Sequence, residues 1–439
     1  DMGIIGAGGI SSGIYTTDSA EQVKYLVNDS ATKFYFAENE EQLDKILEVR
    51  SECPTLKQII VFDMEGLNEF HDDQVISYEE LLQIGEKTNQ EKPDLWERLI
   101  NNVKSSDIAI LVYTSGTTGP SKGAMINHEN ILYSINTGYD IFETMEHEEQ
   151  LSFLPLCHIL ERSVSVMIPL KTAAVVNFAE SIDTVPENIR EVSPTVFIAV
   201  PRIWEKFYSS ITILMKDATF IGKYSYQFSM NVGSKYKDYF IEGKVPPLSV
   251  KILYWLCNQL VLKNIKKLLG LNNCRYGLSG AAPISPELIN WYLSLGIDMR
   301  EGWGMTETSG VGTAFYTREI KLGHVGRAVN DSEIRIADDG EILFRGPGVF
   351  CGYLNKPEQT KETLKDGWLH TGDVGEMDNY GNIKITDRKK DIIITAGGKN
   401  ISPSEIENEL KFSPFVSDAV VIGDKRKFLS CLIMIDEEN

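Results

Sequence analysis

The stretch IAILVYTSGTTGPSKG, from Ile108 to Gly123, joins an apolar run to a loop rich in glycine and hydroxyl side chains. The run Ile108–Tyr113 has the length and composition of a buried strand. The glycines after it allow tight turns and close approach of the backbone to an anion, and the hydroxyl groups and the Lys122 ammonium supply hydrogen-bond donors. A mobile surface loop is the plainer interpretation of such a segment, but the dense spacing directly after a buried strand favours a polyphosphate-binding loop.

This loop does not follow the Gly-x-x-x-x-Gly-Lys-Ser/Thr pattern of P-loop nucleotide-binding proteins. In that pattern the lysine directly follows the last glycine, whereas Lys122 comes three residues after Gly119. We therefore expect a phosphate-binding loop of a different kind.

Apolar runs typical of buried parallel strands recur on both sides of the loop, with helical patterns between them. They include Gln58–Asp63, Ala173–Phe178 and Thr195–Val200. Asp18, followed three residues later by Glu21, has the spacing of a helix capping box. The alternation predicts an α/β fold up to about residue 318, with two doubly wound subdomains in which helices cover both faces of parallel sheets.

The segment from about residue 320 to residue 388 has a different pattern. Asp-Gly turns at Asp339–Gly340 and Asp366–Gly367 separate short alternating runs such as Glu333–Ile336 and Glu341–Phe344. Short strands joined by glycine turns are typical of antiparallel β structure, and we predict a small distorted β-barrel here.

An α/β pattern returns after Arg388. A short strand, Ile392–Thr395, is followed by a helix that Ser402 caps and by another strand, Ala419–Ile422. We therefore divide the chain into a large domain, residues 1–388, which includes the β-barrel subdomain, and a partial small α+β domain, residues 389–439.

The composition excludes several classes of protein. The 439 residues carry 43 basic and 63 acidic side chains and a net charge of −20, which argues against a nucleic-acid binder because phosphate contacts need a basic surface. No apolar run reaches the ~18 residues of a membrane span, and no signal peptide is evident at the start of the sequence. The six cysteines are widely spread without a Cys-x-x-Cys pair, which indicates reduced thiols in a cytoplasmic protein without a zinc site.

One part of the chain is basic. Residues 206–270 hold ten basic and three acidic side chains, together with the apolar Tyr254, Trp255 and Leu256. This amphipathic character fits peripheral contact with an anionic membrane, for example on its inner face. A helical hairpin with a solvated lysine face explains the same pattern equally well.

The loop resembles the phosphate loop of the acyl-adenylate-forming (ANL) superfamily, which comprises acyl-CoA synthetases, peptide-synthetase adenylation domains and luciferases. Ser121 stands where that superfamily usually has proline. Three further segments resemble its motifs in the same order, namely the Tyr-Gly-x-Thr-Glu segment (Arg300–Glu307), the Trp-x-x-Thr-Gly-Asp segment (Trp368–Asp373) and the hinge and thioester-forming segment (Asp387–Asn400). The resemblance covers essentially the whole chain and is greatest to long-chain fatty acyl-CoA synthetases of the bubblegum type, through Leu151–Arg162 and Gly423–Phe428.

The resemblance implies ATP, Mg²⁺ and coenzyme A as ligands and makes residues 1–388 an AMP-binding adenylation domain. Lys122, Thr306 and Glu307 would be catalytic, with Thr306 donating to the α-phosphate and Glu307 holding Mg²⁺. The β- and γ-phosphates would lie against Lys122 and against Thr114, Ser115, Gly116, Thr117, Thr118 and Gly119.

The same resemblance implies an adenosine site. The wall on one side of adenine would be Gly280, Ala281 and Ala282, and the facing segment would be Glu301, Gly302, Trp303 and Gly304. Trp303 replaces the usual tyrosine, so we expect ring stacking on adenine without the hydrogen bond of the tyrosine hydroxyl. Asp373 would accept from both ribose hydroxyls, and Arg388 would also reach the ribose.

The remaining implied roles concern the acyl group and coenzyme A. His158 would belong to the acid-binding region without a proton-transfer role. Gly397 and Gly398 would let the pantetheine chain pass close to the backbone, and Lys390 would be the hinge about which the C-terminal lid rotates. The superfamily places a further lysine, which orients the attacking carboxylate, beyond Asn439. The sequence also begins at Asp1, inside a strand-to-helix pattern. We therefore expect this stretch to be truncated at both ends.

The resulting expectation is a ligase that uses ATP to convert a long-chain fatty acid to acyl-AMP and then transfers the acyl group to coenzyme A, releasing AMP. Two alternatives stay open. One is an acyl-AMP ligase that loads a carrier protein, and the other is a truncated, non-catalytic nucleotide-binding homologue.

Overall fold

The structure, a computed structural model, describes residues 1–114, 120–142, 148–316, 320–396 and 399–435. These residues form two compact units. The first consists of residues 1–130, 155–158 and 350–362, and the second of residues 131–154, 159–349 and 363–439.

The helices in chain order are α1 Met2–Gly6, α2 Ala20–Asp29, α3 Glu40–Val49, α4 Tyr78–Glu91, α5 Leu95–Asn102, α6 His128–Phe142, α7 Ile159–Arg162, α8 Ile168–Thr172, α9 Val185–Val192, α10 Pro201–Asp217, α11 Phe220–Ile241, α12 Leu248–Cys257, α13 Lys263–Leu268, α14 Pro286–Leu295, α15 Pro357–Thr363 and α16 Pro403–Lys411. A short 3₁₀ helix covers Thr306–Thr308, and π-helical turns cover Ser163–Met167 and Asn258–Leu262.

The strands in chain order are β1 Ser11–Ser12, β2 Phe34–Ala37, β3 Gln58–Val61, β4 Val75–Ser77, β5 Ile108–Thr114, β6 Lys122–Asn127, β7 Glu149–Ser152, β8 Val175–Phe178, β9 Val196–Ala199, β10 Tyr276–Ser279, β11 Asp298–Glu301, β12 Thr313–Ala314, β13 Arg327–Ala328, β14 Glu333–Ile336, β15 Glu341–Arg345, β16 Gly352–Tyr353, β17 Leu364–Lys365, β18 Trp368–Met377, β19 Ile383–Arg388, β20 Ile393–Ile394, β21 Asn400–Ile401, β22 Val416–Ile422 and β23 Ser430–Ile435.

The first unit contains a parallel sheet, β2-β3-β4, and a mixed sheet, β1-β5-β6-β16. The parallel sheet packs against α2 and α3 through a core in which Val27, Leu43, Ile46 and Ile59 are inaccessible to solvent. In the mixed sheet β5 runs parallel to β1 but antiparallel to β6. The phosphate-loop segment therefore lies between two antiparallel strands, a departure from the all-parallel sheets predicted for this part of the chain.

The second unit contains the parallel sheet β11-β10-β9, which covers a large aromatic core. Trp204, Tyr292 and Phe197 are fully buried there, and the Tyr292 hydroxyl donates to the Trp204 carbonyl at 2.7 Å. Because the strands are parallel, the carboxyl ends of β10 and β11 lie side by side, the usual position of a ligand site in such sheets.

The antiparallel region of the second unit is a five-stranded sheet in which β14, β15, β18 and β17 are neighbours and β19 pairs with β18. Gly340 and Gly367 have positive φ angles of 84° and 78°, as the predicted Asp-Gly turns require. The antiparallel prediction is confirmed, but the pairings among the described strands make an open sheet without the closure of a barrel.

The C-terminal part consists of the β20–β21 pair, α16 and the β22–β23 hairpin. As predicted, the Ser402 side chain caps α16, accepting from the Glu405 backbone N–H at 3.4 Å. At the other end of α16, the Phe412 ring stacks on Tyr208 of α10 with ring centroids 4.9 Å apart.

One helix cap was predicted one residue too early. The N-cap of α2 is Ser19 rather than Asp18, and the capping box pairs Ser19 with Gln22 instead of Asp18 with Glu21. Aspartate and serine are both good N-caps, so composition alone did not choose between adjacent candidates.

Candidate active site

A pocket of about 460 Å³ opens in the second unit at the carboxyl ends of β10 and β11, a volume within the roughly 300–1,000 Å³ of small-ligand sites. Ala281 and Ala282 follow β10 and line one side, and Gly302, Trp303 and Gly304 follow β11 and line another. Gly280 immediately precedes the two alanines. The structure therefore brings together the two segments that sequence analysis assigned to opposite sides of adenine.

The turn after β10 has an uncommon backbone conformation. Ala281 has a left-handed backbone conformation with a φ of 68°, which is uncommon for a residue with a Cβ. A Cβ built on Gly280 would meet the Gly302 carbonyl oxygen and the Leu160 side chain at 3.7 Å, which is ordinary contact. The shape of this wall is therefore set by the backbone conformation as well as by the small side chains.

Trp303 makes a hydrogen bond that sequence analysis did not foresee. Its indole Nε1–H donates to Oδ2 of Asp373 at 2.8 Å. The large ring fits because Gly312 lies directly against it, and a Cβ at residue 312 would overlap the indole. Trp303 and Gly312 are therefore a matched pair.

Asp373 is the centre of the site. It is buried, it lines the pocket, and its Oδ1 accepts from Nε of Arg388 at 2.8 Å. The two residues are directly opposite each other in the antiparallel pairing of β18 with β19. Burial raises the pKa of Asp373, while Arg388 and the Trp303 hydrogen bond oppose that shift and the Glu307 and Asp387 carboxylates add to it.

Asp373 keeps the capacity to bind a ligand despite these two partners. Each carboxylate oxygen can accept two hydrogen bonds, and each has accepted one in the structure. The arrangement can therefore accept from two further hydroxyl groups, which is what a ribose offers.

The lining of the pocket is strongly acidic. Acidic residues outnumber basic ones, with Glu287, Glu301, Asp373, Asp387, Asp391, Glu405 and Glu409 against Lys384 and Arg388. Such a field repels a polyphosphate but tolerates a neutral base and sugar. The pocket is suited to adenosine, and phosphate groups need a different set of side chains.

Glu301 is a buried carboxyl group in the pocket wall. Its Oε1 accepts from the Ile284 backbone N–H at 3.4 Å, and burial raises the pKa of Glu301 to about 8. At neutral pH this group is therefore mostly protonated and can act as a hydrogen-bond donor as well as an acceptor.

Glu301→Gln is expected to stabilise the protein, and more strongly as the pH rises. Because the pKa of Glu301 lies near 4.5 when unfolded and near 8 when folded, the native protein binds the extra proton and loses unfolding free energy as the pH rises through this window. Glutamine has no proton to lose. We expect its melting temperature to exceed the parent's by at least about 3 °C near pH 9 and by less near pH 6.

The matched control is Glu376→Gln, which changes an exposed carboxylate on β18. This variant should melt like the parent at both pH values, because substitutions at exposed sites usually change stability little. Equal pH profiles for Glu301→Gln and the parent in thermal denaturation would contradict the assignment of a neutral Glu301.

Thr306 and Glu307 lie on the 3₁₀ helix that follows Gly304, and both are buried. Gly304 is required by the backbone path, because a Cβ there would overlap the Gly310 carbonyl oxygen. The Glu307 carboxylate is close enough to Asp373 to raise the pKa of that residue. The two proposed catalytic residues thus lie on one short turn near the pocket.

The described phosphate-loop residues belong to the first unit. Thr114 ends β5 and pairs with Lys122, which begins β6. The Lys122 Nζ lies over the Tyr353 ring, 4.3 Å from its centroid, a cation–π contact that orients the ammonium group. Ser115, Gly116, Thr117, Thr118 and Gly119 lie outside the described residues.

His158 and the hinge region complete the predicted set. His158 is part of the first unit, and burial lowers its pKa, so the imidazole is neutral at physiological pH. Lys390 is exposed on the turn after β19. Gly397 and Gly398 lie outside the described residues.

Sequence analysis missed the contribution of the C-terminal part to the pocket. Four residues of α16 line it, namely Ser404, Glu405, Asn408 and Glu409. Asp387 fixes this helix by accepting from the hydroxyls of Ser402 at 2.8 Å and Ser404 at 3.0 Å. The four-residue spacing of Ser404 and Asn408, and of the acidic residues next to them, indicates a polar helix face. The sequence does not indicate which part of the protein that face contacts.

Two profiles of known families match the chain. The AMP-binding enzyme family matches residues 1–354, and the AMP-binding enzyme C-terminal domain matches residues 390–439. Together these ranges include every segment that lines the pocket except parts of β18 and β19.

Curated relatives match along nearly the whole chain. It is 35% identical over 450 residues to the long-chain-fatty-acid–CoA ligase ACSBG2 of Xenopus laevis, covering 99% of this chain and 60% of that protein. It is 34% identical over 441 residues to the long-chain-fatty-acid–CoA ligase FadD15 of Mycobacterium tuberculosis, covering 100% of this chain and 71% of that protein. The chain thus spans three fifths of the length of the first relative.

Solved structures share the fold. The anthranilate CoA ligase AuaEII in complex with anthranoyl-AMP superimposes with a TM-score of 0.71 at 20% identity, covering 98% of this chain and 73% of that one. The fatty acyl CoA synthetase of Mycobacterium tuberculosis superimposes with a TM-score of 0.61 at 22% identity, covering 98% and 74%. The predicted α/β fold class is confirmed.

Proposed function

The chain belongs to the family of AMP-binding enzymes, and on that premise we propose that it activates a long-chain fatty acid with ATP and passes the acyl group to coenzyme A. The proposal rests above all on the position of Asp373. This carboxylate is buried in the pocket wall, accepts from Trp303 and Arg388, and can accept further hydrogen bonds. The relatives named as long-chain-fatty-acid–CoA ligases support the choice of acid and of acceptor.

The pocket would hold the adenosine part of ATP. Adenine lies between the Ala281–Ala282 wall and the Trp303 ring, and the ribose hydroxyls donate to Asp373. Glu301, protonated because of its raised pKa, can exchange hydrogen bonds with the edge of the base. The acidic lining directs the phosphates away from this pocket.

The first step joins the acid to AMP. A carboxylate oxygen of the fatty acid attacks the α-phosphorus, the bond from that phosphorus to the bridging oxygen breaks, and pyrophosphate leaves with the electron pair. Thr306 donates to the α-phosphate, and Lys122 with Thr114 and residues 115–119 binds the β- and γ-phosphates. Negative charge accumulates in this transition state, so fixed donors and one ammonium lower its energy.

Glu307 is the proposed Mg²⁺ ligand. Groups of three or more histidine, cysteine or acidic side chains that could hold a metal are absent from the described part of the chain. Mg²⁺ in phosphoryl-transfer sites is held by one or two carboxylates with substrate phosphates and water, which a single buried Glu307 fits. When bound, the ion would neutralise charge on the phosphate oxygens.

The second step forms the thioester. The coenzyme A thiolate attacks the acyl carbonyl carbon, the carbon–oxygen bond to AMP breaks, and AMP leaves. We propose that the C-terminal part, residues 389–439, turns about Lys390 and that Gly397 and Gly398 lie beside the pantetheine chain. The separate family profiles for residues 1–354 and 390–439 support a domain division near residue 388.

His158 is proposed to line the acid-binding region. Its neutral imidazole, a consequence of burial, suits contact with an apolar acyl chain and gives no reason to assign it a proton transfer.

We further propose that α10–α13 rest on an anionic membrane surface, from which a long-chain acid is drawn. Large apolar side chains are exposed on α11 and α12, with Phe220 83%, Ile221 77% and Leu248 72% accessible. The exposed lysines Lys251 and Lys263 lie on the same group of helices. None of the described helices is both long and apolar enough to cross a membrane.

Changing Lys251, Lys263 and Lys267 together to glutamate is expected to weaken binding to vesicles of phosphatidylcholine and phosphatidylserine about 100-fold at low salt, since each lysine near such a surface contributes about 1 kcal/mol. Lys266 is left unchanged because it is partly buried. Co-sedimentation measures the affinity, and added salt should weaken binding by the parent.

The control carries the same charge change elsewhere. Lys57, Lys87 and Lys92, exposed in the acidic first hundred residues, are changed to glutamate. If the two triple variants bind the vesicles equally well, the basic helices are only a solvated face.

One reaction separates the proposal from its two alternatives. The protein is incubated with ATP, oleate and coenzyme A, and the products are separated. AMP and oleoyl-CoA support the proposal. Oleoyl-AMP without thioester points to an acyl-AMP ligase that loads a carrier protein, and nucleotide binding without turnover points to a non-catalytic homologue.

A further inference from the structure

A cluster of ion pairs lies beside the pocket but outside the residues assigned to nucleotide binding. Lys389 Nζ contacts Oδ2 of Asp339 at 2.7 Å and Oε2 of Glu341 at 2.9 Å. We call these three residues the Lys389 cluster. The Glu341 side chain is 9% exposed, whereas those of Lys389 and Asp339 are about half exposed.

Glu341 links the two strands that carry the ribose-binding pair. Its Oε1 accepts from the Gly372 backbone N–H at 3.0 Å, and Gly372 immediately precedes Asp373. Its Oε2 accepts from Lys389, which immediately follows Arg388. The Lys389 N–H in turn donates to the Gly372 carbonyl at 2.8 Å. One carboxylate thus holds the chain next to both members of the Asp373–Arg388 pair.

The pairing of β18 with β19 is irregular next to Asp373, so additional contacts are needed to fix its register. The register of β18 against β19 shifts between Val374 and Gly375, and Gly372 has a φ of 71°. Both are irregularities directly beside Asp373. A one-residue slip would turn a side chain to the opposite face of the sheet, which would move Arg388 away from the Asp373 carboxylate.

The opposite charges in the Lys389 cluster stabilise the ionised forms of Glu341 and Lys389. Burial opposes ionisation of Glu341, but the Lys389 ammonium, the Gly372 N–H and His370 together hold the pKa of Glu341 below its usual range. Hydrogen bonds to Asp339 and Glu341 raise the pKa of Lys389. The His370 ring also faces this carboxylate, with Nδ1 at 3.3 Å from Glu341.

We propose that the Lys389 cluster positions Asp373 and Arg388 for the nucleotide ribose. Lys389 and Glu341 are positioning residues in this account, because they act through Gly372, Asp373 and Arg388. The inference rests on the proposed nucleotide site.

The test compares Lys389→Met with Lys321→Met. Lys321 pairs with Asp378 at 2.8 Å and is 47% exposed, against 45% for Lys389. The control therefore removes a lysine of similar exposure that makes one ion pair, whereas Lys389→Met loses two. AMP affinity by calorimetry should fall about tenfold, or about 1.4 kcal/mol, in Lys389→Met and remain at the parent value in Lys321→Met. Lys389→Arg, which keeps the charge, should recover most of the lost affinity.

A second readout separates positioning from general destabilisation. The Michaelis constant for ATP should rise in Lys389→Met and in Glu341→Gln, while that for oleate stays within about twofold, because only the ribose contact is disturbed. Equal losses for both substrates, or an AMP affinity equal to the parent's, would overturn the inference. Failure of the parent itself to bind AMP would instead overturn the proposed nucleotide site, and this inference with it.

Discussion

Asp373→Ala should weaken the binding of AMP and ATP by at least about 100-fold. The carboxylate is proposed to accept from two ribose hydroxyls, and hydrogen bonds to a charged group contribute about 1.5–3 kcal/mol each. The substitution also leaves the Trp303 indole N–H and the Arg388 guanidinium without the acceptor that they share. Calorimetric titration with AMP measures the loss directly, without any need for turnover.

The control is Asp378→Ala, which removes a carboxylate just beyond the end of β18 and breaks the ion pair with Lys321. It tests whether damage to this sheet alone reduces affinity. An AMP dissociation constant for Asp373→Ala within twofold of that for Asp378→Ala would rule out Asp373 as the ribose acceptor.

Glu307→Gln should slow acyl-AMP formation about 10²–10³-fold, the usual cost of removing one group that stabilises charge in the transition state. Glutamine keeps the shape of the side chain but removes the charge that Mg²⁺ prefers. Pyrophosphate release from ATP and oleate measures this step. Binding of AMP, which lacks the β- and γ-phosphates, should change little.

Two comparisons make the Glu307 result specific. Thioester formation from synthetic oleoyl-AMP should proceed at the parent rate, since pyrophosphate has already left. The control Glu376→Gln changes an exposed carboxylate on β18. This variant should release pyrophosphate at the parent rate. A parent-like rate for Glu307→Gln would remove Glu307 from the proposed metal site.

Local chemistry in the sequence predicted the elements that depend on near neighbours. The strand Glu333–Ile336, the cap Ser402 and the glycine turns at residues 340 and 367 were all located correctly, because alternation, capping and positive φ act over a few residues. The direction of β6 relative to β5 was not predicted. A short apolar run does not specify whether its neighbour runs parallel or antiparallel.

The sequence predicted the individual residues of the site but not the hydrogen bonds between them. Family motifs named Trp303, Asp373 and Arg388 separately, and the structure joins them through one carboxylate. The Trp303–Asp373 bond spans 70 positions in the chain, and the fit of the indole depends on Gly312. Such relations arise from tertiary packing, which local sequence patterns do not encode. The neutral state of Glu301 has the same origin, since burial causes it.

The most direct test of the account is a crystal structure of the protein with a non-hydrolysable oleoyl-adenylate analogue. The account predicts that both ribose hydroxyls lie within hydrogen-bond distance of the Asp373 carboxylate, and that adenine lies between the Trp303 ring and Ala281–Ala282. Adenosine bound elsewhere, with the pocket at the ends of β10 and β11 left empty, would contradict it.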